Sequence, residues 1–218
     1  MSIPRLIESQ TERTTAATDL LLGLLALVGT WMLLSTGGAA PYRAGVWAGA
    51  LGCLALASLL GVAAHGFQMS ERTNRAIWKP LNLSLGLAIA FFVVGVVLDL
   101  WGAGPALIVL WVMVGAALAF FLITVFIPNT FLVFIAYEAL AMLFALAGYL
   151  VLAIRGALPG AALIAAGVLV TLIAAAIQAT GKVRLHLLWA FDHNGIFHIV
   201  QMIGVVLLVL GVRAGLIG

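Results

Sequence analysis

Polar chemistry in this chain is concentrated in one short stretch, Phe191–Gly204 (FDHNGIFHIVQMIG), which holds Asp192, His193, Asn194, His198 and Gln201 in surroundings that otherwise avoid polar side chains. Ionisable groups inside an apolar segment are functional-site candidates, because hydrocarbon penalises them unless they find partners. Imidazole is a common zinc ligand, and three protein ligands plus a water make a catalytic zinc site. Zinc brings the pKa of its water to about 7, and the resulting hydroxide attacks an amide or ester carbonyl. His65, His193 and His198 are the candidate metal ligands. Asn82, Asp192 and Asn194 are the candidates for orienting those ligands or the water.

Spacing constrains this reading. His193 and His198 are five residues apart, which is about 140° around an ideal helix. Asn194 and His198, four apart, share a face. His193 therefore joins a site only from a non-helical first turn, which Asp192 permits if it is the N-cap. The same residues also suit a plainer role, with His65 and His198 hydrogen-bonded in a core or at an interface and Asp192 as a cap alone. A third use of His65 and His198 is ligation of a haem or pigment. Glu138, about 12 Å along the fifth apolar segment at ~1.5 Å per residue, is a fourth polar element, a proton carrier or a structural hydrogen-bonding group. Asp19 and Asp99 read as interfacial.

The elements that must position these residues follow from composition. The chain has 218 residues, is 65% hydrophobic and 8% charged, and has a mean hydropathy of +1.27. Apolar runs of ~20 residues span a bilayer as helices. Seven are expected: Thr18–Leu34, Tyr42–Phe67, Pro80–Trp101, Pro105–Ile127, Phe131–Ile154, Pro159–Thr180 and Asp192–Val212. Pro80, Pro105 and Pro159 are placed as helix starts, where proline's missing donor costs nothing. Pro128-Asn129-Thr130 signals a tight hairpin. The fold class is all-α, a polytopic seven-transmembrane-helix bundle. Residues 18–218 form a single domain after an N-terminal arm, residues 1–17, whose Ile3, Leu6 and Ile7 are expected near the membrane surface.

Basic residues give an orientation. Arg5, Arg13, Arg72, Arg75, Lys79, Lys182 and Arg184 fall on the side of the N-terminus, against Arg43, Arg155 and Arg213 on the other. The positive-inside rule then puts the N-terminus in the cytoplasm and the C-terminus outside, with a bacterial inner membrane as the expected location. His65, Asn82, His193 and His198 all fall near the inner side in this frame. The basic pI reflects loop charges and not a nucleic-acid surface, since no Lys/Arg cluster is present. Cys53, the single cysteine, lies in an apolar run and reads as a small packing residue.

Seven helices, a histidine near the end of the second and a histidine-bearing start to the seventh resemble the superfamily of alkaline ceramidases and adiponectin/progestin-type receptors. That superfamily carries Ser-x3-His on helix two, Asp near the start of helix three and His-x3-His on helix seven. The corresponding stretches here are Gly61-Val62-Ala63-Ala64-His65, Asn82, and Asn194-Gly195-Ile196-Phe197-His198. Glycine stands for the serine, Asn82 for the aspartate and Asn194 for the first histidine, with His193 one residue early. The resemblance implies a zinc-dependent hydrolase of a lipid amide or ester, its substrate arriving from the membrane. The competing expectation is a non-catalytic scaffold or accessory subunit, packed among other membrane subunits.

Overall fold

The computed structural model describes residues 5–127, 131–186 and 188–218. The expected Pro128–Thr130 hairpin and Ile3 lie outside the described residues. The chain is an all-α polytopic membrane protein. Its seven helices are α1 (Gln10–Thr36), α2 (Pro41–Gly66), α3 (Glu71–Trp101), α4 (Ala103–Phe126), α5 (Phe131–Ile154), α6 (Ala161–Thr180) and α7 (His193–Ile217). Each is long and apolar enough to cross a membrane. A 3₁₀ turn, Gly37–Ala39, joins α1 to α2. A two-stranded antiparallel hairpin, β1 (Leu185–His186) with β2 (Ala190–Phe191), precedes α7.

Two helix starts differ from the sequence expectation by two turns or more, and two by two residues: α4 begins at Ala103, ahead of Pro105, and α6 at Ala161, after Pro159. α1 begins at Gln10 and not Thr18, because the Ser9 hydroxyl caps it by accepting from the Glu12 amide at 3.4 Å. Residues 10–17, expected in the arm, are its first two turns, and Thr14, Thr15 and Ala16 are buried. α3 begins at Glu71, with the Ser70 hydroxyl accepting from the Thr73 amide at 3.1 Å. Pro80 is therefore interior to α3 and not its first residue. The Ser cap decides the start, and proline costs the helix one donor farther along. The remaining arm is tied down. The Ile7 amide donates to the Gly66 carbonyl at 3.0 Å, and the Gln68 amide to that of Arg5 at 2.8 Å.

Six helices close a ring in which α1 touches α2, α2 touches α3, α3 touches α5, α5 touches α6, α6 touches α7 and α7 returns to α1. α4 packs mainly along α3, outside the ring, and buries only Ala106, Ala117 and Phe120. Lipid is as apolar as leucine, so tight packing has to hold such helices together. The α6–α7 seam shows how: a Cβ on Gly167 would come 2.8 Å from the Gly204 carbonyl oxygen, so only glycine allows that approach. Trp47, fully buried, packs edge-on against Phe92 with ring centroids 5.2 Å apart and fills the ring's interior toward the far end.

Candidate functional site

The ring encloses a chamber of about 550 Å³ at the end that carries the N-terminus. His65, Asn82, His193, Asn194 and His198 all line it, as do Asp19, Glu138, Gln178 and Gln201. Helices distant in the chain thus bring the sequence-predicted imidazoles to one space. Asp192 is the exception among those residues. Its carboxylate is turned to the backbone, where Oδ1 accepts from the Asn194 and Gly195 amides, each at 3.0 Å, and from the Thr15 hydroxyl at 3.1 Å. It is the N-cap of α7 and a tie to α1.

α1 supplies what the sequence reading did not anticipate. Thr15, Thr18 and Asp19 recur at helical spacing and form one buried face. The Thr18 hydroxyl donates to the Thr15 carbonyl at 2.9 Å, so its oxygen is left to accept from His198 Nδ1 at 3.0 Å. His198 Nε2 stands 3.3 Å from Asp19 Oδ1. Asp19, expected at an interface, is only 5% exposed. With α1 starting at Gln10 it lies nine residues in, about 14 Å along the axis. It also explains Gly61, where the resemblance has serine: a Cβ at 61 would come 2.5 Å from Asp19 Oδ2. The carboxylate from α1 occupies the space a side chain on α2 would take.

His65 has a carboxylate of its own, with Nδ1 2.7 Å from Glu12 Oε2, and its ring sits edge-on to Trp78 at 5.6 Å. Gln178 Nε2 donates to Asn194 Oδ1 at 3.2 Å. Among the described residues, no side-chain hydrogen bond engages Asn82 or His193. Glu138 is buried, and its Oε2 has no hydrogen-bond partner among the described residues.

Whether these residues could hold zinc turns on what their nitrogens already do. His198 has Thr18 on one nitrogen and Asp19 at the other, and Glu12 holds Nδ1 of His65. Among the described residues no three His, Cys, Asp or Glu side chains come together in a way that could hold a metal ion. This arrangement does not fit a three-histidine zinc centre. Nor does it fit axial ligation of a haem by His65 and His198, since His198 offers no unengaged nitrogen.

A second polar cluster lies at the opposite end. Arg43 Nε meets Asp99 Oδ1 at 2.5 Å, and its Nη2 donates to Oδ2 at 3.0 Å. Nη1 donates to the Val212 carbonyl at 3.0 Å, and the Tyr149 hydroxyl to Asp99 Oδ2 at 2.7 Å. Asp99, expected at an interface, is instead the buried partner of Arg43, which the charge count set on the side opposite the N-terminus. The cluster joins α2, α3, α5 and α7.

Fold and site together define a seven-helix membrane protein with an internal chamber walled by imidazoles, carboxylates and amides. Residues 14–217 match a single family model, described as Family of unknown function (DUF6962), and the chain belongs to that family. No curated protein and no solved structure matches it. The family match carries no link to the ceramidase and receptor superfamily.

Proposed function

We propose that this protein hydrolyses an amide or ester of a membrane lipid in its internal chamber, with Glu12 and His65 as the water-activating pair. The carrying observation is the 2.7 Å contact between Glu12 Oε2 and His65 Nδ1 in a residue that lines the chamber. A carboxylate on Nδ1 fixes the tautomer and leaves Nε2 to act as a base, the logic of the Asp–His half of a triad. In the proposed step Nε2 takes a proton from water, and the water oxygen bonds to the substrate carbonyl carbon. The carbonyl electron pair moves to oxygen. Collapse of that intermediate breaks the bond to the leaving nitrogen or oxygen, which recovers the proton from His65. Asn82 and Asn194, on the same wall, are the amides able to donate to the developing oxyanion. No metal is needed for this sequence of steps.

The excess of basic residues at the N-terminal end supports a cytoplasmic N-terminus, which sets the chamber in the inner leaflet. The test is release of fluorophore from lipid ester and amide reporters by the full chain in nanodiscs. His65→Ala is expected to lose about 10²–10⁴-fold in rate, the usual worth of a general base. Equal turnover by wild type and His65→Ala would sink the assignment.

A non-catalytic accessory role is favoured by a different observation: both nitrogens of His198 and the whole Asp192 cap serve helix packing. Absence of turnover on every lipid reporter, with co-purification of a membrane partner, would support that reading instead.

A further inference from the structure

Among the described residues, two oxygens at the chamber wall have no hydrogen-bond partner, Glu138 Oε2 and Gln201 Oε1. Both are buried, and Glu138 as a whole is only 9% exposed. Both residues also line a second, narrower space of about 90 Å³, walled mostly by aliphatic and aromatic side chains. They therefore stand where the polar chamber meets an apolar slot. A buried acceptor left unpaired costs the desolvation of that group, and a charged one costs more.

What these acceptors lack is a donor within hydrogen-bond distance among the described residues. Among those residues no Lys or Arg lines either space. Arg43 is committed to Asp99 at the other end, and His198 to Thr18 and Asp19. One further acceptor is at hand: the Thr171 hydroxyl donates to the Gly167 carbonyl at 3.1 Å, which leaves its oxygen able to accept, and Thr171 lines the slot. Phe134 lines both spaces and adds an aromatic wall of the kind that attracts cations.

We propose that this junction binds the ammonium group of a primary alkylamine, with the alkyl chain in the slot. An ammonium brings three donors and one positive charge. The three donors match Glu138, Gln201 and Thr171, and the charge matches a carboxylate with no cation beside it. A carboxylate ligand would repel Glu138, and an alcohol brings a single donor and no charge. The site uses neither Glu12 nor His65, so it stands or falls independently of the hydrolase reading.

The test is ligand-observed saturation-transfer NMR on the full chain in nanodiscs, with n-butylamine, butan-1-ol and butyrate as probes of equal chain length. Saturable binding of the amine is expected, about tenfold or more tighter than the other two. Glu138→Gln should lose at least that factor, and Gln201→Leu a smaller one. His65→Ala should bind the amine as wild type does even if its hydrolysis is lost. Equal binding of butanol and butylamine would overturn the proposal, as would undiminished amine binding by Glu138→Gln. Should that variant fail to fold, the three-probe comparison on wild type and Gln201→Leu decides: no preference for the amine, or no loss in Gln201→Leu, overturns it.

Discussion

Each end of the bundle buries an aspartate from one helix against a basic side chain from another, yet only at the N-terminal end does that aspartate line the polar chamber. At the far end Asp99 meets Arg43, Tyr149 closes over it and the Val212 carbonyl accepts from Arg43 Nη1. The carboxylate of Asp99, the hydroxyl of Tyr149 and each nitrogen of the Arg43 guanidinium have partners, although Trp47 Nε1 nearby has none among the described residues, and the cluster works as a clamp across four helices. At the N-terminal end Asp19 meets His198, but around them lie a chamber, an imidazole held on one nitrogen by Glu12 and two buried oxygens without donors. Saturation marks a structural joint, and surplus valence beside a void marks a place for a ligand. The choice of base matters as well. A guanidinium cannot shed its proton within any ordinary pH range, whereas an imidazole can.

That contrast orders four substitutions by expected effect. Asp99→Asn strands a buried guanidinium without its counter-charge, and removing one partner of a buried pair costs about 3–5 kcal/mol. Thermal unfolding in detergent should show it as the largest loss of the set. Gly61→Ala pushes a methyl into the Asp19 carboxylate, and overpacking of this kind costs about 1–3 kcal/mol. The sharper readout is the His198 ring resonances, which should shift as Asp19 moves away. Asp192→Ala removes the α7 cap, at about 0.5–2 kcal/mol, and faster amide exchange at Asn194 and Gly195 would report it. Asp19→Asn is the counterpart of the first change and should be the mildest, about 0.5–1.5 kcal/mol, because an imidazole nitrogen can meet an amide as donor or as acceptor. If Asp19→Asn proves as damaging as Asp99→Asn, the two ends are alike and the distinction between clamp and chamber fails.

The seven helices were legible because each carries an uninterrupted apolar run, and the meeting of His65, His193 and His198 was legible from helix direction alone. What escaped was decided by helix starts. Pro80 advertises a first turn, but Ser70 and Thr73 had already begun α3, so the proline was carried into its interior. At the N-terminus, reading residues 10–17 as an arm left Asp19 at a membrane surface. A start at Gln10 makes it deeply buried. A signal was present in the spacing of Thr15, Thr18 and Asp19, a polar stripe that faces one neighbour only if the helix has already started. Glu12 escaped for the same reason. The partner of Arg43 is a harder case, since nothing local in either segment announces a contact between residues 56 positions apart.

The strand-like pairing of residues 5–7 with 66–68 has a practical side. That segment leads directly into Glu12, which steadies the His65 ring, so a bulky fusion attached ahead of it would strain the anchorage of the proposed base. Affinity handles belong at the other terminus, beyond Ile217, where the last turn of α7 is remote from the chamber.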